Sequence, residues 1–301
     1  NPEMSKIRAY IRSFRLRTLP LSVAGIVLGT MLAAAAGEFH AGRFALAVVT
    51  VLLLQILSNV ANELGDTLRG TDSDERQGMV YSLQSGEITI AAMKRLIIWL
   101  VALSALSGVA LIATSFEALF SREGLTMLGL GALAIVAALG YTLGRRPYGY
   151  MGLGDLFVFL FFGLLSTIGG YFLMCWQVDW SVALPAAACG LWSVGVLNIN
   201  NIRDIENDRK NRITVPILLG VRGAKIYQCV LELLPFVLLS IYCALHCGEW
   251  ADYLFWLLLP LYIVHLQGVW QAQGRQLDAR LPQLSILTIV ACVAFGALQL
   301  L

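Results

Sequence analysis

Nine stretches of this chain are apolar for close to the length that crosses a bilayer, and that pattern restricts the fold more than any motif does. They lie near 19–37, 44–64, 96–114, 125–141, 154–174, 180–200, 226–246, 251–269 and 283–301. A hydrocarbon core about 30 Å thick calls for about 20 apolar residues per helix. The runs are continuously apolar rather than alternating, so helices are expected and barrel strands are not. Charge agrees: 13% of the 301 residues are charged and mean hydropathy is +0.75, against about 25% charged in a soluble domain. The expected fold class is an all-α polytopic membrane protein with nine transmembrane helices.

Lysine and arginine set the orientation. All of them except Arg43 and Arg122 fall on one side: in the arm before residue 19, and in the loops after the second, fourth, sixth and eighth spans. The amino terminus is therefore expected in the cytoplasm and the carboxyl terminus outside, in the inner (plasma) membrane. The chain reads as one transmembrane domain over 1–301, with a basic cytoplasmic arm at 1–18. The basic start could mimic a signal peptide, but eight further spans favour an uncleaved first helix. A formal net charge of +2 gives no sign of nucleic acid. The six cysteines lack CxxC spacing and read as buried thiols.

Two cytoplasmic loops stand out by length and polarity, 65–95 and 201–225, so the chemistry is expected there. The second span ends Q-I-L-S-N-V-A-N-E-L-G-D, where Gln55, Ser58, Asn59, Asn62 and Asp66 share one helical face. The sixth ends N-I-N-N-I-R-D-I-E-N-D-R, where Asn200, Asp204 and Asp208 repeat every fourth residue. N-x-x-x-D thus occurs twice, at 62–66 and 200–204, an echo of an internal repeat that would set two acidic helix ends across one cavity.

Crowded carboxylates destabilise a helix and tend to take up protons near a membrane. A divalent cation removes both objections, and Mg²⁺ typically takes one or two carboxylates, keeps waters and completes its shell with substrate phosphates. Opposed Asp clusters with basic residues such as Arg203 among them therefore point to a diphosphate held through Mg²⁺. Asp66, Asp72, Asp204 and Asp208 are the candidates, whereas Asp74, Glu75, Glu87 and Glu206 read as solvated charges. Asp155, after the G-Y-M-G-L-G turn, is either a site residue touching metal or acceptor or a helix N-cap. Glu232, inside the seventh span, reads as a buried ion pair or hydrogen bond. His40, His246 and His265 read as isolated. G-I-V-L-G at 25–29 reads as an internal helix contact.

N-E-L-G-D-T-L-R-G-T-D-S-D-E-R-Q-G, Q-S-G-E-I-T, Y-T-L-G-R-R-P-Y-G-Y-M-G-L-G-D-L-F-V-F-L-F-F-G and N-N-I-R-D-I-E-N-D-R together resemble the UbiA-type intramembrane prenyltransferases. The likeness runs in motif-bearing pieces from about residue 10 to 225, with R-L-R-T-L-P-L-S-V-A-G-I-V-L-G at its start. The G-T-D and P-Y-G-Y-x-G-L-G-D pieces resemble the branch of the family that acts on 1,4-dihydroxy-2-naphthoate. The resemblance implies a nine-helix bundle around a central cavity open sideways to the lipid bilayer. By position it makes Asn62, Asp66 and Asp72 the first metal–diphosphate motif, and Asp204 and Asp208 the second. It gives Arg76 and Arg145 basic roles, and sets Tyr141 near the departing group. Asn200 and Arg203 accompany the second motif. The implied reaction is Mg²⁺-dependent transfer from a polyprenyl diphosphate to dihydroxynaphthoate, with loss of CO2, giving demethylmenaquinone.

Three positions depart from the family pattern. Glu63 stands where Asp is usual. G-M-V-Y at 78–81 replaces G-P-x-R, which removes a basic contact at Tyr81. N-R-I-T at 211–214 is shorter than the usual G-K-x-T, so the likeness does not carry Arg212 into the phosphate ligands. The rival acceptors are 4-hydroxybenzoate, homogentisate and haem. The rival class is a carboxylate-based transporter, against which the acids gather at one face rather than at the midplane.

Overall fold

The computed structural model describes residues 2–70, 82–83, 85–246 and 248–301, and side chains from Lys6 onward. The described residues are helical almost throughout, without strands; Met151 and Ile213 form an isolated bridge. Nine helical stretches among them are long and apolar enough to cross a membrane, matching the expected spans. In order the helices are α1 (Pro2–Phe14), α2 (Leu19–Ala35), α3 (Ala41–Leu68), α4 (Ile90–Ser115), α5 (Arg122–Gly140), α6 (Gly154–Val158), α7 (Ser166–Cys175), α8 (Ala183–Arg203), α9 (Ile205–Asp208), α10 (Val215–Leu245), α11 (Leu259–Gln271) and α12 (Arg280–Leu298). A π-helical segment, Phe159–Leu165, joins α6 to α7, and 3₁₀ turns lead into α8, α11 and α12.

Two packed clusters flank the site. One joins α2, α7, α8, α10, α11 and α12 around Trp192, Phe236 and Tyr262. Their rings lie 5.2–5.8 Å apart, in edge and stacked arrangements. The other joins α1, α3 and α4 around Ala9, Leu57, Leu64 and Met93. Lipid is as apolar as leucine, so helices in a bilayer associate through close backbone approach rather than hydrophobic drive. Gly25 and Gly29 supply it where α2 meets Ser166 and Thr167 of α7. Gly163 supplies it where the π-helical segment meets α8. A Cβ added at Gly163 would lie 2.5 Å from the Gly190 Cα and 2.7 Å from the Ala186 carbonyl oxygen, both backbone atoms. Gly163→Ala is accordingly expected to lower stability by about 1–3 kcal/mol, read as a depressed thermal midpoint in detergent.

The structure revises three boundaries. The basic arm is helical, and α1 packs on α3: Ala9 is fully buried, and the Asn59 amide donates to the Phe14 carbonyl at 2.9 Å. Residues 65–68 continue α3 and 90–95 already belong to α4. Of 201–225, Asp204 and 209–214 lie between helices, because α10 starts at Val215 with Pro216 in its first turn, and Gly220 at φ 70°, ψ 166° interrupts α10 before Lys225. The Lys225 ammonium donates to the carbonyls of Trp270 and Ala272, both at 2.9 Å.

His265 is not isolated. Its Nδ1 lies 3.0 Å from the Glu232 carboxylate, and its Nε2 donates to the Arg280 carbonyl at 3.0 Å. Gln228 donates to Glu232 and accepts from Asn198, each at 2.8 Å. The chain of bonds ties α8, α10, α11 and α12 together inside the apolar cluster. Glu232 thereby takes the buried-pair role expected of it, which polar groups in hydrocarbon require.

Candidate active site

The carboxyl-terminal end of α3 delivers Asn62 and Asp66 on one face, and Thr142 seats that end. Its hydroxyl lies 3.1 Å from both the Ala61 carbonyl and the Asn62 side-chain oxygen. Gly65 allows this approach, since a Cβ there would fall 2.6 Å from the Thr142 side chain. Asp66 is 3% exposed. Its Oδ1 accepts from the Tyr150 hydroxyl at 2.5 Å and from Arg212 Nη2 at 2.9 Å. The same guanidinium reaches Asp208, with Nε 3.2 Å from Oδ1. It lies over the Tyr150 ring at 4.4 Å, and Arg69 lies near that ring at 5.2 Å. Burial works against the Arg212 charge, but the carboxylates of Asp66 and Asp208 outweigh it and raise its pKa above the ordinary arginine value.

Asp204 has a different partner from the one its spacing suggests. α8 ends at Arg203, and Asp204 caps it at φ −96°, ψ 9°, so Asp208 sits on the separate short helix α9. The four-residue stripe is therefore broken at its centre. Both Asp204 oxygens accept from Arg203, at 2.9 and 2.6 Å. Arg203 also bonds Asn200 at 2.9 Å and Asp278 at 2.5 Å, with 1% of its side chain exposed. Through Asp278, Arg203 ties α8 to the turn before α12.

A polar chamber of ≈ 190 Å³ opens between α3 and α8, lined by Arg15, Arg17, Asn62, Asp66, Asn200 and Arg212 among others. An apolar cavity of ≈ 220 Å³ adjoins it between α2, α4, α5 and the π-helical segment, past Leu111, Met127, Phe161 and Leu165. Gln55, Ser58, Tyr141, Tyr148, Val158 and Phe162 line both. The junction is aromatic: Tyr141 meets Tyr148 edge-on at 5.3 Å, and Tyr148 stacks on Phe157 at 3.9 Å. Burial pushes the Tyr148 phenol pKa above its ordinary value, so the ring stays neutral. The wider π-helical turn lets Phe161, Phe162 and Leu165 face the cavity while Gly163 faces α8.

Of the residues expected at the site, Asn62, Asp66, Tyr141 and Asn200 line the chamber, and Asp208 lies behind Arg212. Asp155 is not an N-cap, a position held by Leu153, and accepts from the Tyr227 hydroxyl at 3.1 Å. Arg145 is exposed and lines neither space, because the turn at 144–147 points it outward. Asp72 and Arg76, with Asp74, Glu75 and Tyr81, lie outside the described residues. Among the described residues no three carboxylate, imidazole or thiol groups converge as a metal cluster.

Glu63 turns away from the chamber. It is fully buried under the return of the chain at Leu83, whose N–H donates to Oε1 at 2.8 Å. The longer side chain at this position thus reaches the backbone at Leu83. Arg15, Arg17, Tyr148 and Arg212 line the chamber, and Tyr150 bonds Asp66, though the sequence reading does not place them there. For Tyr148 and Tyr150 the signal lies in P-Y-G-Y, whereas the two arm arginines read from sequence as topology charges.

A model of the UbiA prenyltransferase family matches residues 22–297. The chain belongs to that family. As a UbiA-family prenyltransferase it resembles the 1,4-dihydroxy-2-naphthoate octaprenyltransferase of Escherichia coli (strain K12), at 42% identity over 87% of this chain and 84% of that protein. The protein of that name from Haemophilus influenzae is 38% identical over 97% of this chain and 95% of its own length. The fold matches an apo UbiA homologue from Aeropyrum pernix K1, with TM-score 0.67 and 19% identity over 95% of this chain and 97% of that one. It also matches an Archaeoglobus fulgidus UbiA homologue bound to DMAPP and Mg²⁺, with TM-score 0.63 and 17% identity over 97% and 99%.

Proposed function

We propose that this UbiA-family enzyme transfers a polyprenyl group from its diphosphate to 1,4-dihydroxy-2-naphthoate at the cytoplasmic face of the inner membrane. The observation that carries the proposal is that a chamber holding Asp66 and several arginines adjoins an aromatic-walled apolar cavity and shares part of its lining with it. An amphiphile with an anionic head and an isoprenoid tail fits both halves. Relatives at 42% and 38% identity bear the name of the dihydroxynaphthoate enzyme, which supports the acceptor. The grouping of lysine and arginine on the chamber side supports the orientation.

Asp66 and Asp208 come from separate elements and converge on one cationic centre, Arg212. Two hard oxygen donors brought together in this way suit Mg²⁺, which completes its shell with water and phosphate. Bound there, Mg²⁺ would neutralise charge on the departing diphosphate. Arg15 and Arg17 add positive charge to the same chamber. As the C–O bond breaks, an allylic cation forms at the junction, where the faces of Tyr141, Tyr148 and Phe157 stabilise it and apolar walls keep water away. The electron-rich ring attacks through the carbon bearing its carboxylate. A C–C bond forms, the carboxylate leaves as CO2 and returns its electron pair to the ring, diphosphate departs, and the product is the demethylmenaquinone skeleton at the quinol level.

The test is purified protein with labelled polyprenyl diphosphate and each acceptor in turn, with Mg²⁺ or with a chelator. Lipid-soluble product is expected with dihydroxynaphthoate and Mg²⁺ only. Product with 4-hydroxybenzoate alone overturns the acceptor, and no product with any acceptor overturns the enzyme reading.

A further inference from the structure

One guanidinium separates the two acidic elements of the site. Arg212 donates from Nη2 to Asp66 at 2.9 Å and holds its Nε 3.2 Å from Asp208. It lines the chamber, whereas Asp208 does not, so Asp208 is screened from the chamber by the arginine it pairs with. Arg212 stands in the short turn between α9 and α10, tethered by its backbone N–H to the Asp208 carbonyl at 2.9 Å. Its side chain is 11% exposed and rests on the Tyr150 ring.

We infer that Arg212 is the internal counter-cation of the metal-free site, and that it yields Asp66 and Asp208 to a divalent cation only when a diphosphate is there to receive its guanidinium. The inference rests on the metal–diphosphate reading above. Two buried carboxylates without a cation would repel each other, and Arg212 removes that cost in the empty enzyme. A divalent ion arriving alone must evict the guanidinium from both carboxylates and leave it unpaired in the chamber. A diphosphate offers the planar fork bidentate phosphate oxygens in exchange, which is the anion geometry arginine fits best. The Tyr150 face beneath it keeps a cation–π contact as the fork shifts. Metal and diphosphate therefore enter together rather than metal first.

The experiment is Mn²⁺ binding to full-length protein in detergent, followed by the electron paramagnetic resonance signal of free Mn²⁺, for wild type and Arg212→Met. Removing the competing charge is expected to tighten binding of Mn²⁺ alone by about tenfold or more. In the presence of inorganic pyrophosphate the order reverses, and Arg212→Met binds the Mn²⁺–pyrophosphate pair more weakly than wild type. Should Arg212→Met fail to fold by gel filtration, Arg212→Gln removes the charge while retaining an amide donor, and the same comparison applies. Equal or weaker binding of Mn²⁺ alone by the charge-free variant overturns the inference and leaves the reaction assignment standing. A wild type that takes up no Mn²⁺ even with pyrophosphate overturns the metal–diphosphate reading, and the role of Arg212 falls with it.

Discussion

Asp66→Ala is expected to reduce turnover by about 10³-fold or more, with little change in the thermal midpoint. The carboxylate is the meeting point of the chamber, receiving Tyr150 and Arg212 on one oxygen. Truncation removes the α3 contribution to any metal–diphosphate complex. The fold tolerates the loss because Arg212 keeps Asp208 and faces a polar chamber, so no cation is left buried without a partner. Asp66→Asn keeps the shape and an acceptor for Tyr150 but lacks the charge, and should be nearly as inactive. Labelled-product assays beside thermal melts check both. Turnover within a few fold of wild type in Asp66→Ala would remove this carboxylate from the reaction.

The membrane spans could be read from sequence because each is a long apolar signal that composition alone resolves. Boundaries at the polar ends of the spans could not, since there polar residues stay helical. Lys225 looks like a loop charge, yet two backbone carbonyls, of Trp270 and Ala272, satisfy its ammonium inside the bundle. Spacing located the two acidic helix ends. It did not locate the break at Asp204, which pairs Asp204 with Arg203 and sets Asp208 on a separate short helix. N-R-I-T is too short against the family stretch to carry Arg212 into the phosphate ligands, and only the fold brings its turn beside α3. Glu63 drew attention as the odd letter of the motif, but it answers to Leu83 on the opposite side of the helix.

Asp204→Ala should behave unlike Asp66→Ala, although the two positions match in the sequence repeat. Arg203 is 1% exposed and Asp204 3%, and the pair is bidentate. Removing one partner of such a buried pair costs about 3–5 kcal/mol, because the remaining charge stays desolvated. Arg203 keeps Asp278 and Asn200, which places the expected loss near the lower end, about 3 kcal/mol. Turnover falls as well, through displacement of α9 and Asp208 rather than through a lost ligand. The discriminating variant is the double substitution Arg203→Met with Asp204→Leu. Replacing a buried ion pair by apolar side chains of similar volume is often neutral or stabilising, so the thermal midpoint should recover most of the loss, and turnover should recover with it. Were Asp204 a metal ligand in the working enzyme, the single variant would melt like wild type and the double variant would stay inactive. Melting curves and product assays on the single and double variants separate the two roles.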